Sequence, residues 1–330
     1  MKIGIISTGS WATALGNVLC DNGHDVLMWG IEQKQVDDIN NNHRNTQYYD
    51  APLNEALKAT TDMSFINDMD ILLIAVPTKA MNEVLNKVNN VLNKEIYVIN
   101  VAKGFYQDDM SRLSLAIKNI LKNKAKAVIS LIGPSHAEEV VIRKSTIINS
   151  VSEDEEAAIL IQNIFANDYF RVYRNDDVIG AEISAAVKNV MAIASGMLAG
   201  LGEGDNARAA LITRGLAEMG RFVLAFGGKK ETLLGLNGVG DLVVTCSSKL
   251  SRNFEAGEQI GKADSAKEFL ENNKKTVESI YTTKIVYELA KGKNISMPIT
   301  EQVYSILYEN KKPSIAIKEL FQRELKSENN

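Results

Sequence analysis

Cysteine and histidine are scarce in this 330-residue chain, with two of the first and three of the second. Cys20 and Cys246 are too few for a disulfide framework and form no CxxC or Cys/His pattern, so a reducing cytosol is the expected setting. His24, His43 and His136 are scattered without ligand spacing, and no catalytic metal is expected. Basic excess is missing as well: a formal charge of −4 argues against a nucleic-acid partner. No apolar run reads as long enough to cross a bilayer, since the longest weakly polar stretch, 190–201, falls short of the roughly 20 residues required. At the N-terminus KIGII is too short for a signal peptide and no A-x-A-like site follows it. Cys20 comes after Val18-Leu19, bulky where a lipid-attachment signal wants small residues. The expectation is a cytoplasmic protein with no stable membrane insertion.

What is present is ordinary globular material, 45% apolar and 24% charged, in a chain long enough for two domains. The first half alternates β-branched runs with segments of helical spacing. KIGII (2–6), DVLMW (25–29), DILLIAV (70–76), IYVIN (96–100) and AVISLIG (127–133) read as buried parallel strands. Segments 10–22, 32–42, 78–93 and 109–123 read as the helices between them. Stretches 145–151 and 169–173 extend the sheet around a helix beginning near Ser152-Glu153. This pattern predicts an α/β fold with an open, doubly wound, Rossmann-type parallel sheet. From Val178 onward strand signals stop and Ala, Leu, Lys and Glu recur at helical spacing, with glycine-rich breaks at 200–204, 227–228 and 235–240. Two domains are expected: 1–176, dinucleotide-binding, and 177–330, helical, for substrate and catalysis.

The first loop, ISTGSWATALG (6–16), has the rhythm of G-x-G-x-x-G with only its middle glycine. Gly9 keeps the position where a Cβ would collide with a diphosphate, and Ala12 is an accepted third residue. Ser7 is the departure, because it must make the tight turn without glycine's freedom at positive φ. The helix that follows would turn its N–H groups and positive dipole end toward the phosphates. The acid expected about 20 residues on is not well placed: the second strand ends Trp29-Gly30-Ile31-Glu32, and Glu32 suits a helix start. The choice between NAD and NADP is therefore not legible here.

Several later stretches occur in a telling order: AVPTKAM (75–81), VAKGF (101–105), LIGPSHAEEV (131–140), AAVKNVMAIASGMLAGLGEGDNARAALITRGLAEM (185–219), GVGDLVVTC (238–246) and SRNFEAG (251–257). With MPITEQVYSIL (297–307) they make nearly the whole chain resemble the bacterial NAD(P)-dependent glycerol-3-phosphate dehydrogenases. The block 188–214 and the later SRN are the most specific parts. The resemblance implies interconversion of dihydroxyacetone phosphate and sn-glycerol 3-phosphate, supplying the latter for phospholipid synthesis, and a homodimer.

By this resemblance Lys188 is the catalytic general acid and base. Its neighbours Ala185, Ala186, Val187 and Val190 should bury it and lower its pKa, although an isolated lysine on such a helix more commonly snorkels. Lys103 would contact substrate and cofactor at the carboxyl edge of the sheet, and a second ammonium there would depress the pKa of Lys188 further. Gly133 and Ser135 would contact substrate and Ala137 cofactor, though GPS also reads as a turn with a cap. Asp241 matches an acid beside the catalytic lysine, and Asn189 and Thr245 match polar substrate contacts. Arg252 and Asn253, next to Ser251, match the phosphate-holding pair, where a guanidinium fork suits the ligand; a helix cap with an exposed arginine is the plainer reading of S-R-N. Gly9, Ser10, Trp11, Arg252, Thr276 and Glu278 would face the cofactor. Ser279 stands where the family usually has glycine, and His136 matches no role.

The alternatives fit less well. A β-hydroxyacid dehydrogenase would place an asparagine one helical turn after its lysine, where this chain has Met191 and Ala192. A ketopantoate-reductase-like enzyme would not explain GDNARAALITRG together with SRN. A dinucleotide sensor would need neither Lys103 nor Lys188 nor Arg252. GGKKE (227–231) lacks the upstream glycine and following Ser/Thr of a P-loop.

Overall fold

The computed structural model describes residues 1–273, 275–325, 327 and 328. Eight strands form one sheet: β1 (Lys2–Ile6), β2 (Asp25–Trp29), β3 (Lys58–Thr60), β4 (Ile71–Ile74), β5 (Ile96–Asn100), β6 (Ala125–Ile132), β7 (Thr146–Val151) and β8 (Phe170–Asn175). Their order is β3-β2-β1-β4-β5-β6-β7-β8. Strand residues alternate between two cores: Ile3, Ile5, Ile71, Leu73 and Ile129 feed one face, and Ile6, Leu72, Ile74, Val98 and Val128 the other. Both faces are therefore apolar and covered by helices, as the near-continuous hydrophobic runs require. The order reverses between β1 and β4, so the loops leaving these strands flank the switch point where such sheets bind ligands.

Two features depart from the expected sheet. β3 is an edge strand of three residues, Lys-Ala-Thr, too short and mixed to carry a hydrophobic pattern. β7 runs antiparallel to β6, with Ser130 opposite Val151 and Ile132 opposite Asn149, while β8 is parallel to β7. The helix between those last strands begins at Glu155, capped by Asp154, whose carboxylate accepts the Ala157 N–H at 3.0 Å.

No strand follows β8 among the described residues. Two compact units divide the chain: Met1–Ala185 with Gly227–Asp241, and Ala186–Phe226 with Leu242–Asn330. Segment 227–241 is held to the sheet unit by polar contacts. Lys229 donates its N–H to Asp177 at 2.7 Å and Asn149 donates to Asn237 Oδ1 at 2.8 Å. The helix Val178–Gly200 runs for 23 residues. It is long and apolar enough to cross a bilayer by length and composition, yet 89% of its most apolar window is buried inside the protein. It is a core helix. In the sheet unit Glu182 anchors its first turns, accepting Ser130 Oγ at 2.5 Å and Ser114 Oγ at 2.9 Å. Burial pushes the carboxyl of Glu182 upward.

In the second unit Glu218, on the helix Asp205–Ala225, accepts the Ile299 N–H at 2.6 Å and the Thr300 N–H at 3.3 Å. It caps the helix Pro298–Tyr308, whose own N-cap residue, Met297, offers no side-chain bond. Burial pushes the Glu218 carboxyl from 4.5 up to about 7. Because the folded value is raised, the associated stability is full below about pH 4.5 and is lost as pH rises through 7. A rise of this size corresponds to about 3 kcal/mol. Thermal midpoints should therefore fall between pH 5 and 8, and Glu218→Gln should flatten that slope; an unchanged slope would show that Glu218 does not titrate there.

Candidate active site

The predicted site residues fall into two groups, one in each unit. In the sheet unit the loop after β1 leads into the helix Ser10–Asp21, with Gly9 as its N-cap. The helix ladder begins with Thr13 N–H donating to Gly9 O at 2.9 Å, so the preceding amides form the helix N-terminus. A methyl group built on Gly9 would meet only Ser7 Oγ, at 3.1 Å, beyond its chain neighbours. That open cradle, at the sheet's switch point and at a helix N-terminus, fits the diphosphate of a dinucleotide. Ala12 is buried as the third fingerprint position requires, Ser10 is buried and Trp11 packs against the core. Glu32 is the N-cap of the helix Gln33–Asp37, as its position after β2 implied, while Ile31 is exposed.

Beneath this loop lies a buried polar layer of Thr8, Thr13, Gln35 and Asn45. Thr8 Oγ1 donates to Gln35 Oε1 at 2.5 Å, and Thr8 O accepts from Gln35 Nε2 and Asn45 Nδ2, both at 2.9 Å. Asn45 Nδ2 also donates to Thr13 Oγ1 at 2.8 Å, and Tyr49 OH donates to Ser10 O. Gln35 lies on the five-residue helix Gln33–Asp37 and Asn45 in an isolated bridge to Tyr49, where no motif marks them.

At the carboxyl edge of β5 and β6, Lys103 gathers three oxygens. Its Nζ donates to Gly133 O at 2.8 Å and to the two carboxylate oxygens of Asp241 at 3.1 and 3.0 Å. Asp241 is buried, and Lys103 is a partner that the sequence reading did not assign to it. Gly133 has a φ of +156° and a Cβ there would lie 2.9 Å from Ile148 Cα, so only glycine fits. Ser135 Oγ donates to the same Gly133 carbonyl at 3.1 Å, and Ala137 starts the short helix Ala137–Val140. GPS is thus a turn, and one whose carbonyl orients Lys103.

In the helical unit Lys188 does not snorkel: it is 4% exposed, and Nζ donates to Thr245 Oγ1 at 2.6 Å. Asn189 is buried beside it in sequence, and its Oδ1 accepts from Asn253 Nδ2 at 3.0 Å. Asn253 Oδ1 in turn accepts the Ser279 N–H at 3.0 Å. Ser279 is in ordinary helical geometry, in the first turn of Glu278–Gly292, so replacing glycine there brings no backbone strain. Ser251 caps the helix Arg252–Ala263 by accepting the Phe254 N–H at 3.3 Å, which leaves Arg252 exposed at its first position. The cap and the phosphate-binding readings of S-R-N are therefore compatible. Thr276 precedes Glu278, the first residue of its helix, and both are half-buried.

Four glycines set the geometry of this half. Gly196 and Gly200 on one helix, and Gly257 and Gly261 on the other, are each spaced by four residues and lie at the crossing of Val178–Gly200 with Arg252–Ala263. A methyl at Gly196 would overlap the Phe254 carbonyl oxygen and sit 2.8 Å from Glu258 N. At Gly257 it would overlap the Ile193 carbonyl and sit 2.9 Å from Met197 N. Backbone meets backbone there, which sets the first turn of the second helix beside the turn that carries Lys188 and Asn189. An apolar cavity of about 430 Å³ also lies in this unit, lined by Met197, Leu211, Arg214, Glu218 and Val303 among others, but it contains none of the predicted site residues.

Comparison with known proteins converges on one family. The model of the NAD-dependent glycerol-3-phosphate dehydrogenase N-terminus matches residues 2–158, and that of the C-terminus matches 177–318. The chain is 47% identical to a glycerol-3-phosphate dehydrogenase [NAD(P)+] of Staphylococcus aureus, with 99% of each covered. Among solved structures it is similar to glycerol-3-phosphate dehydrogenase from Coxiella burnetii, with TM-score 0.91, 38% identity and coverage of 98% and 99%. The Plasmodium falciparum enzyme gives TM-score 0.88 at 26% identity, over 99% and 97%. Ketopantoate reductase from Ralstonia eutropha, at 15% identity and TM-score 0.60, shares the fold alone.

Proposed function

This chain belongs to the NAD-dependent glycerol-3-phosphate dehydrogenase family, and from that premise we propose that it interconverts dihydroxyacetone phosphate and sn-glycerol 3-phosphate with Lys188 as general acid and base. The observation that carries the role of Lys188 is its burial, with Nζ 2.6 Å from Thr245 Oγ1, while the adjacent Asn189 is bonded to Asn253 of the SRN helix.

NAD or NADP, when bound, supplies the hydride for reduction and accepts it in the reverse direction. The loop 7–12 would hold its diphosphate on Gly9 and the following helix N-terminus. During reduction Nζ of Lys188 donates a proton to the carbonyl oxygen, and it takes that proton back in oxidation. Thr245 fixes the Nζ position. Arg252 and Asn253 take the phosphate, the arginine through its planar fork and the asparagine through an amide oriented by Asn189 and Ser279. Lys103, whose direction is set by Gly133 O and Asp241, is the cationic contact that the family resemblance assigns to substrate and cofactor. We place the reaction in the cytoplasm, running toward sn-glycerol 3-phosphate for phospholipid synthesis, in a homodimer. Exposed Leu224, Ile315 and Phe321 offer apolar surface for that pairing.

The test follows NADH or NADPH absorbance with dihydroxyacetone phosphate. Arg252→Ala should raise the substrate KM at least about tenfold, the lower worth of a charge-assisted hydrogen bond. A normal KM would remove Arg252 from the phosphate site.

A further inference from the structure

Ser7 has a consequence beyond a missing glycine. It holds φ at +141°, in the region that side-chain-bearing residues rarely adopt. Its N–H donates to Trp29 O at 3.0 Å, which fixes this pose from the neighbouring strand. In that pose Oγ turns forward and accepts the Gly9 N–H at 2.9 Å. Gly9 is where the absence of a Cβ opens the chain to a phosphate, and what stands over that opening is the Ser7 hydroxyl. A glycine at position 7 would leave it clear.

We propose that Ser7 Oγ is a built-in competitor for the cofactor diphosphate, occupying the Gly9 amide until an anionic oxygen displaces it. This rests on the reading that the loop binds NAD(P). The rest of the loop cannot shift to relieve the competition. Thr8 is tied on its hydroxyl and its carbonyl to Gln35 and Asn45, and Thr13 is bonded to Asn45 as well. The exchange therefore falls to the Ser7 side chain, which is only half-buried and has a staggered alternative to turn into. An empty loop stays internally hydrogen-bonded, and a bound diphosphate must give a better partner than a hydroxyl.

Ser7→Ala removes the hydroxyl and keeps the backbone demand, whereas Ser7→Gly removes both. Calorimetry with three probes separates the terms: NADH, ADP-ribose, which has the diphosphate without the redox ring, and adenosine, which has neither. Both variants should bind NADH and ADP-ribose about fivefold tighter than the parent, the worth of one ordinary hydrogen bond. Their affinity for adenosine should not change. Equal or weaker ADP-ribose binding by Ser7→Ala would overturn the proposal, as would an equal gain for adenosine. If the alanine variant does not fold, Ser7→Gly, which relieves the backbone, carries the same comparison. Failure of the parent to bind either NADH or ADP-ribose would instead overturn the underlying reading of the loop.

Discussion

Lys188→Ala should lower kcat by about 10³-fold, within the range for loss of a general acid, while the NADH dissociation constant should stay within about twofold of the parent. The split is expected because Lys188 Nζ is bonded to Thr245, in the helical unit, while the dinucleotide loop belongs to the sheet unit. Removing a buried side chain of this length also leaves a space, so a small primary amine added to the buffer should restore part of the rate. Rescue that grows with the amine's basicity would identify proton transfer as the lost step. Thr245→Val should lower kcat less, since Nζ remains but is no longer held. Lys188→Ala retaining more than a tenth of parental kcat would assign the proton to another group.

Gly257→Ala should destabilise the protein by about 3 kcal/mol, at the upper end for overpacking, and lower kcat/KM by about 100-fold, the cost of a misplacement near 1 Å. The added methyl meets the Ile193 carbonyl and Met197 N, and main-chain atoms have no rotamer through which to yield. The two helices must part, and Ser251, Arg252 and Asn253 move with the second. Alanine is otherwise the better helix former by up to about 1 kcal/mol, so propensity alone predicts the opposite sign. Gly292→Ala is the control: it ends its helix with nothing within 4 Å of the added methyl, and should be neutral or slightly stabilising. A Gly257→Ala protein with unchanged midpoint and activity would mean that the crossing is looser than its backbone contacts require.

Much of this was legible in the residues. The long β-branched runs of β1, β5 and β6 mark buried strands because both faces of the sheet are covered. Lys-Ala-Thr of β3 gives no such signal, and nothing in Thr-Ile-Ile-Asn-Ser-Val of β7 tells an antiparallel partner from a parallel one. The candidate site residues rest on motifs, and motifs carry identity without partners. Asp241 reads as an acid of the active site, but its bidentate pairing with Lys103 depends on how residues 138 apart come together. Gly196, Gly200, Gly257 and Gly261 show the same limit. Within one helix a glycine reads as a weak point, and only the opposing helix shows that a side chain is forbidden. Ser7 was the reverse case: a departure from pattern predicted the positive φ that the turn adopts.

The return of residues 227–241 to the sheet unit bears on how the chain is made. Synthesis delivers β1 to β8 first, yet Lys103 must wait for Asp241, Asn149 for Asn237 and Asp177 for the Lys229 amide. Ribosomes release the whole helix Asp205–Ala225 before any of those partners appears. A nascent chain halted at Phe226 therefore carries every strand but leaves the edge that holds Lys103 unfinished, so the sheet unit matures only after much of its neighbour has been made.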